Sequence, residues 1–163
     1  MKAVVQRVKN AEVSVEGKIT GKINQGLLVY IGIAQGDDEK ETTWMAEKVA
    51  NLRIFNDSQG KMNLSLMDLL SHGKEAAVLA VSQFTLLGEC SKGRRPYYGE
   101  AAEPELAKKY YESFMAKIRE FGLGCEAGIF QAHMDVSSVN DGPVTIILNS
   151  PGIQGTADLP KTH

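Results

Sequence analysis

The sequence is poor in the residues from which metal and cofactor sites are usually built. It has only two cysteines, Cys90 and Cys125, and three histidines, His72, His133 and His163. Two thiols alone cannot form a structural zinc site, and the histidines lack the spacing of paired metal ligands. We therefore expect no bound metal and no cofactor. In a reducing compartment we also expect no disulfide.

Long apolar runs are missing as well. The longest, such as 27–33, are far shorter than the roughly 20 residues that cross a bilayer. Polar residues occur within the first seven positions, before a signal-type apolar stretch develops. We expect a cytoplasmic protein that does not associate with membranes.

The chain has no excess of positive charge. Its net charge of −2 argues against a protein that coats nucleic acid, because such binding rests on many phosphate contacts. The charge leaves open an enzyme that grips only the end of an RNA. A local basic cluster, Lys92, Arg94 and Arg95, is either a solvated loop or a contact of that kind.

Several common catalytic motifs are absent. The sequence contains no Gly-x-x-x-x-Gly-Lys phosphate loop, no Gly-x-Gly-x-x-Gly and no Gly-x-Ser-x-Gly elbow. A triad of Ser82, His133 and an acid stays open, because triads assemble in space, but no motif supports it.

The residues that are present alternate between β-type and α-type patterns, which predicts a single α/β domain over 1–149 and a flexible tail over 150–163. The run 27–33 is apolar throughout and is typical of a strand buried on both faces. Strands are predicted at 3–8, 13–15, 19–23, 27–33, 76–81, 134–139 and 144–148.

Two helices are predicted from caps and periodicity. The first follows Asp37 and Asp38 and runs to about Leu52. The second starts at Pro104 and stops before Gly122. Its core-facing stripe consists of Leu106, Tyr110, Phe114, Ile118 and Phe121.

Two short segments are candidates for function. Ser82 to Leu86 follows a buried strand, and binding crevices in α/β folds open at such strand ends. By pattern alone, core packing of Phe84 and Leu86 is the stronger interpretation. Asn140 to Pro143 is typical of a hairpin turn between two strands, with Pro143 in an ordinary trans bond.

Taken together, these segments resemble the D-aminoacyl-tRNA deacylase family over nearly the whole chain. The two family signatures are Ser-Gln-Phe-Thr-Leu, here 82–86, and Asn-x-Gly-Pro-Val-Thr, here 140–145. Other segments that match the family include Met1 to Val8, Gly60 to Leu64 and Gly93 to Pro96. Both signatures, in order and in such surroundings, make a specific match.

The resemblance implies a β-sheet curved toward a barrel with two main helices, in a homodimer. In the family the Gly142-Pro143 bond is cis, and this turn enters the site of the partner subunit, where its carbonyls hold the α-amino group of the substrate. Arg7 is similar to the arginine that supports the turn. Ala102 matches a pocket position. The resemblance places Ser82, Gln83, Phe84 and Thr85 in the catalytic segment.

The implied activity is hydrolysis of the ester at the 3′ end of D-aminoacyl-tRNA and of mischarged glycyl-tRNA. Backbone N–H groups near Phe84 and Thr85 are the expected oxyanion donors. The vicinal ribose hydroxyl of the substrate replaces a protein base, which accounts for the missing histidine or carboxylate cluster. Thr85 as a covalent nucleophile is the rival mechanism, with no neighbouring base to activate it.

Two residues depart from the family pattern. Gln131 stands where small residues are usual, and Ser138 where an apolar residue is usual.

Two other functions remain open. A sister-type deacylase acts on a small L-aminoacyl-tRNA but lacks the 82–86 motif in this form. The other alternative is a nucleic-acid-binding module on the same scaffold, which the net charge does not favour.

Overall fold

The computed structural model describes residues 1–152; the remainder of the predicted tail, 153–163, lies outside the described residues. The elements in chain order are β1 (Lys2–Val15), β2 (Lys18–Ile23), β3 (Gly26–Gly32), α1 (Glu39–Asn51), β4 (Phe55–Asn56), β5 (Met62–Leu64), α2 (Leu66–Ser71), β6 (Ala77–Ser82), a 3-10 helix (Phe84–Leu87), α3 (Pro104–Glu120), β7 (Gly124–Ala127) and β8 (Asp135–Asn149).

Strand β1 organises the main sheet. One of its edges pairs antiparallel with β8 over nearly its whole length, and the other pairs with β3 and then with β2. Beyond β3 lie β6 and β7, both parallel to it. The sheet curves until β2 meets β7: a Cβ added to Gly21 would lie 2.6 Å from the Ala127 carbonyl oxygen. The result is a nearly closed barrel.

Both faces of this sheet are buried by apolar side chains. Leu27, Val29 and Ile31 of β3 join the large cluster beneath the helices, whereas Leu28 points into the smaller cluster inside the barrel. This alternation confirms the prediction of a strand buried on both faces. The barrel interior is filled by Val8, Ala11, Val13, Ile23, Leu28, Leu79 and Val81.

The two predicted helices are confirmed. Asp38 caps α1 by accepting a hydrogen bond from the Lys40 amide at 2.6 Å. Pro104 begins α3, and Gly122, with φ of +82°, lies just beyond its end. Leu106 does not belong to the core as expected, since it is 37% exposed in the first turn of α3.

Besides the two main helices there is a third, short helix, α2, which is not predicted from the sequence. Ser65 and Asp68 form a reciprocal capping box that starts it. The helix has only six residues, too few for an apolar periodicity to be visible in the sequence. None of the helices within 1–152 is long and apolar enough to cross a membrane.

The last two predicted strands are one strand, and the hairpin expected between them is wrong. Residues 135–139 and 145–149 both pair antiparallel with β1, so the chain does not reverse between them. Ser150, the first residue of the predicted tail, is buried, and its amide donates to the Met1 carbonyl at 2.8 Å.

Candidate active site

A cavity of about 700 Å³ opens at the carboxyl ends of β3 and β6. This is where an α/β fold is expected to bind ligands. Its wall is mostly apolar, with a few polar side chains from the end of β6 and from the segment before β8. The lining residues are Ile31, Ile33, Val81, Ser82, Gln83, Phe84, Ala101, Ala102, Pro104, Ala107, Phe130, Gln131, Ala132, His133, Met134 and Val136.

One wall comes from the first signature. Ser82 ends β6, and the Gln83 amide donates to the Ile31 carbonyl at 2.8 Å, which fixes the exit of the chain from the sheet. The 3-10 helix then begins at Phe84 without a side-chain cap. The backbone amides of Phe84 and Thr85 lie in the first turn of that helix, before its first backbone hydrogen bond. Neither amide has a hydrogen-bond acceptor within residues 1–152.

Within residues 1–152, the hydroxyl of Thr85 has no hydrogen bond to an ionisable side chain. Thr85 is exposed, does not line the cavity, and accepts a hydrogen bond from the Gln83 side-chain amide. The side chain of Gln83 therefore orients the Thr85 hydroxyl without being able to take its proton.

The opposite wall is held by Ala102 and Phe130. The Ala102 amide donates to the Ile33 carbonyl at 2.9 Å, beside the end of β3. The Phe130 ring packs on Tyr111, with 6.0 Å between centroids. The Tyr111 hydroxyl donates to the Ala80 carbonyl at 2.8 Å, and burial raises the pKa of Tyr111, so the hydroxyl stays a donor.

Gln131 and His133 add polar groups to this wall. Gln131 has φ of +64° in a turn closed by the Ala132 amide on the Ile129 carbonyl. This left-handed conformation favours glycine and is uncommon for a residue with a long side chain. The exposed Gln131 side chain thus adds an amide to the wall of the cavity.

The cavity does not contain a catalytic triad. No Asp or Glu is among its lining residues, and no hydrogen bond joins Ser82 to His133 within 1–152. Nor does the described part of the chain gather three potential metal ligands in one place. Cys90 and Cys125 are free thiols.

The second signature forms a bulge in β8. Val8 pairs with Asn140 and Gln6 with Thr145, so the four residues 141–144 stand opposite Arg7 alone. The Asn140 side chain spans the bulge: its oxygen accepts from the Val144 amide at 3.2 Å. Its nitrogen donates to the Thr145 hydroxyl at 3.0 Å.

Arg7 supports the bulge from below. Its guanidinium is buried and donates to the Asp141 carbonyl at 3.2 Å and to the Ile54 carbonyl at 2.6 Å. It also forms an ion pair with the Asp141 carboxylate at 3.1 Å. A Cβ at position 142 would lie 3.0 Å from the guanidinium, and φ there is +124°, so only glycine suits this position.

The Gly142-Pro143 peptide bond is cis. The resemblance implied this geometry, whereas the turn pattern alone favoured trans. Both residues are exposed at the crest of the bulge. The crest therefore presents backbone atoms outward.

The bulge and the cavity are separate in one chain. Arg7 pairs with Leu27 of β3, four residues before Ile31, the first residue of β3 that lines the cavity. Four residues of strand span roughly 13 Å. The structure thus brings Ser82, Gln83, Phe84 and Ala102 together, and places Arg7, Gly142 and Pro143 elsewhere.

Sequence reasoning missed the structural part played by Asn140 and Thr145. An asparagine before a Gly-Pro pair reads as a turn residue, and only the pairing with β1 shows that it bridges a bulge. In the sequence, His133 stands out only as a candidate for a triad, whereas the structure places it in the wall of the cavity. No sequence signal marks that role.

Known proteins match this chain over most of its length. The family model for D-Tyr-tRNA(Tyr) deacylase matches residues 4–149. A D-aminoacyl-tRNA deacylase of Koribacter versatilis (strain Ellin345) is 57% identical over 150 residues, 92% of this chain and 97% of that protein. One of Geobacter sp. (strain M21) is 56% identical over 151 residues, 93% of this chain and 98% of the relative.

Solved structures share the fold. The c-Myc DNA Unwinding Element Binding Protein is 42% identical with a TM-score of 0.83, over 93% of this chain and 99% of that one. A probable eukaryotic D-amino acid tRNA deacylase has a TM-score of 0.76 over 90% of this chain and 97% of that one. At 16% identity, this second likeness concerns the fold alone.

The substitution Arg7→Ala tests how far the bulge depends on the guanidinium. We expect a loss of about 2–3 kcal/mol in the free energy of unfolding, because the Ile54 carbonyl and Asp141 lose their buried donor. Urea unfolding followed by circular dichroism measures it. The exposed Lys9→Ala on the same strand is the control, and equal midpoints for both variants would contradict the assignment.

Proposed function

The chain belongs to the D-Tyr-tRNA(Tyr) deacylase family, a family of hydrolases, and we propose how its site works. It hydrolyses the ester of D-aminoacyl-tRNA, and also of mischarged glycyl-tRNA, in a homodimer whose Gly142-Pro143 turn completes the partner's cavity. The separation of the two signatures in one chain carries this proposal. If both act on one substrate, they must come from two chains.

The outer edge of β8 supports a two-chain site. Within residues 1–152, β8 pairs only with β1, which leaves a long edge of backbone donors and acceptors unpaired. Val139 and Ile147 of this strand are 48% and 66% exposed. An exposed edge with apolar side chains favours association with another chain, and a twofold dimer buries the same patch on both.

The reaction needs little from ionisable side chains. Water attacks the ester carbonyl carbon and forms a tetrahedral oxyanion, which the Phe84 and Thr85 amides stabilise. The carbon–oxygen bond to the ribose then breaks, and the leaving ribose oxygen takes up a proton. The neighbouring ribose hydroxyl relays protons, since no carboxylate lines the cavity. The products are the free amino acid and tRNA.

Chirality is decided by the backbone of the turn. Carbonyl oxygens at Gly142 and Pro143 bind the α-amino group of the substrate, and Arg7 holds them in place through Asp141. An L side chain then collides with this wall, whereas a D side chain points away from it. Glycine has no side chain to exclude, so the same site accepts it.

A nucleic-acid-binding role is the second candidate, favoured by the name of one solved relative, a DNA-unwinding-element binding protein. Such a role requires duplex DNA binding that weakens steeply with salt. The sister-type deacylase is less favoured, because the 82–86 motif is intact.

Deacylation of paired substrates tests the main proposal. We expect the protein to release amino acid from D-Tyr-tRNA and Gly-tRNA at least about 100-fold faster than from L-Tyr-tRNA, because the turn excludes L side chains. Release of labelled amino acid is measured against spontaneous hydrolysis. Equal rates on D- and L-Tyr-tRNA would refute the chiral wall. Activity on L-Ala-tRNA alone would favour the sister type, and DNA binding without cleavage would favour the other candidate.

Thr85→Ala separates backbone catalysis from a covalent mechanism. We expect kcat on D-Tyr-tRNA to fall by no more than about tenfold, since the backbone amide of residue 85 is kept. Loss of a true nucleophile costs about 1,000-fold or more. Thr85→Ser is the matched control. If Thr85→Ala abolished activity while Thr85→Ser kept it, the threonine nucleophile would be established instead.

Mixed dimers test whether the turn acts across subunits. One chain carries Ala102→Phe, which fills the cavity, and the other carries Gly142→Val or, more mildly, Pro143→Ala. Mixed dimers obtained by co-expression should have about half of the wild-type activity, because each has one intact site out of two.

The readout is the activity of dimers purified through two different tags. Each variant alone should be inactive. Mixed dimers that stay as inactive as the parent variants would show that the turn and the cavity act within one chain, contrary to the proposal.

A further inference from the structure

A loop at residues 88–99, here called the basic loop, carries a charge opposite to that of the rest of the chain. Its tip, 90–98, contains Lys92, Arg94 and Arg95 and no Asp or Glu, so its formal charge is +3 within a protein of net charge −2. A positive patch on an acidic protein indicates a local contact with an anion.

The three cations of the basic loop are available to such an anion. All three side chains are exposed, and none forms a hydrogen bond or ion pair with another residue of the described range 1–152. The acidic residue nearest to them in sequence is Glu89. Its carboxylate accepts a hydrogen bond from the Ser91 amide within the loop. This hydrogen bond lowers the pKa of Glu89.

Both ends of the basic loop are fixed at the cavity. The Glu89 and Tyr97 backbones exchange hydrogen bonds of 2.8 and 2.9 Å, which close the loop just after the 3-10 helix. At its far end, the Gln35 side chain donates to the Gly99 carbonyl at 2.8 Å. Three residues later the chain reaches Ala102 in the cavity wall. The two ends of the loop therefore lie close in sequence to cavity-lining residues, Phe84 on one side and Ala101 and Ala102 on the other.

Exposed aromatic rings accompany these cations. Tyr97 is 69% exposed and Phe84, on the cavity wall, is 55% exposed. The Tyr98 ring meets Phe84 edge to face, with 5.1 Å between centroids, and joins the loop to the wall. Cations that follow a phosphate backbone, beside rings on which bases stack, are typical of single-stranded RNA binding.

We propose that the basic loop binds the single-stranded 3′ end of the tRNA. Lys92, Arg94 and Arg95 contact the phosphates that precede the terminal adenosine, and Tyr97 stacks on one of the bases. This inference rests on the proposed function, because it concerns the same substrate. It adds a determinant that reads the RNA strand outside the cavity.

The test compares a substrate that has these phosphates with one that lacks them. The triple variant Lys92→Gln, Arg94→Gln, Arg95→Gln is assayed on D-Tyr-tRNA and on the D-tyrosyl ester of adenosine. We expect the ratio of kcat/KM on tRNA to that on the ester to fall about tenfold or more. The logarithmic salt dependence on tRNA should flatten by about two, at 0.7 for each lost contact to a single strand.

Two controls separate charge from structure. Lys18→Gln, Lys40→Gln, Lys74→Gln removes three exposed cations from segments that do not line the cavity and should keep the wild-type ratio and slope. Arg94→Lys with Arg95→Lys keeps the charge and should recover most of the ratio. Equal loss on both substrates, or an unchanged ratio, would overturn the proposal.

Binding of uncharged tRNA distinguishes this inference from the proposed function. The triple variant should bind tRNA more weakly than the wild type, and the difference should vanish for tRNA that lacks its 3′-terminal CCA. If the wild-type protein cleaves neither D-substrate, the proposed function is refuted. If the wild type and the triple variant bind tRNA with equal affinity, the proposed role of the basic loop is refuted.

Discussion

The buried guanidinium of Arg7 is the contact on which the arrangement of β8 depends. Four residues of β8 stand opposite one residue of β1, so the excess chain has to leave the ladder. Arg7 is that one residue, and its donors hold the bulge through Asp141 while anchoring to Ile54 on the other side. Because the strand resumes its pairing at Thr145, the crest is held at both ends, and Gly142 and Pro143 are presented on a rigid support.

The cavity at the other end of the sheet is likewise built with few polar side chains. Its position comes from the parallel pairing of β3 and β6, whose carboxyl ends open together. Its polar groups are mainly amides and a hydroxyl, and its shape is held by the Tyr111 contact to β6. In the proposed reaction the aminoacyl ester is already activated, so oriented backbone donors and a confined water would suffice where a less reactive substrate needs a triad.

The proposed assembly gives each part of the surface a separate task. The cavity receives the terminal adenosine and its ester, the turn of a second copy tests the substrate's chirality, and the basic loop holds the strand that leads to the cavity. The charge pattern agrees with this division, because residues 90–98 carry three cations and no acid while the chain as a whole is acidic. In the proposed assembly, binding is directed to one end of the RNA.

Much of this protein was determined by the sequence itself. Caps, apolar periodicity and length predicted α1, α3 and the buried β3, because these depend on neighbouring residues. The six-residue α2 was too short to predict, and Leu106 followed the helical pattern without reaching the core. The 82–86 segment was placed at a strand end from pattern, but its cavity needed Phe130 and Gln131 from a distant segment. Only the tertiary structure decided that 141–144 is a bulge and not a hairpin, because both flanking runs pair with β1, a partner more than 120 residues away.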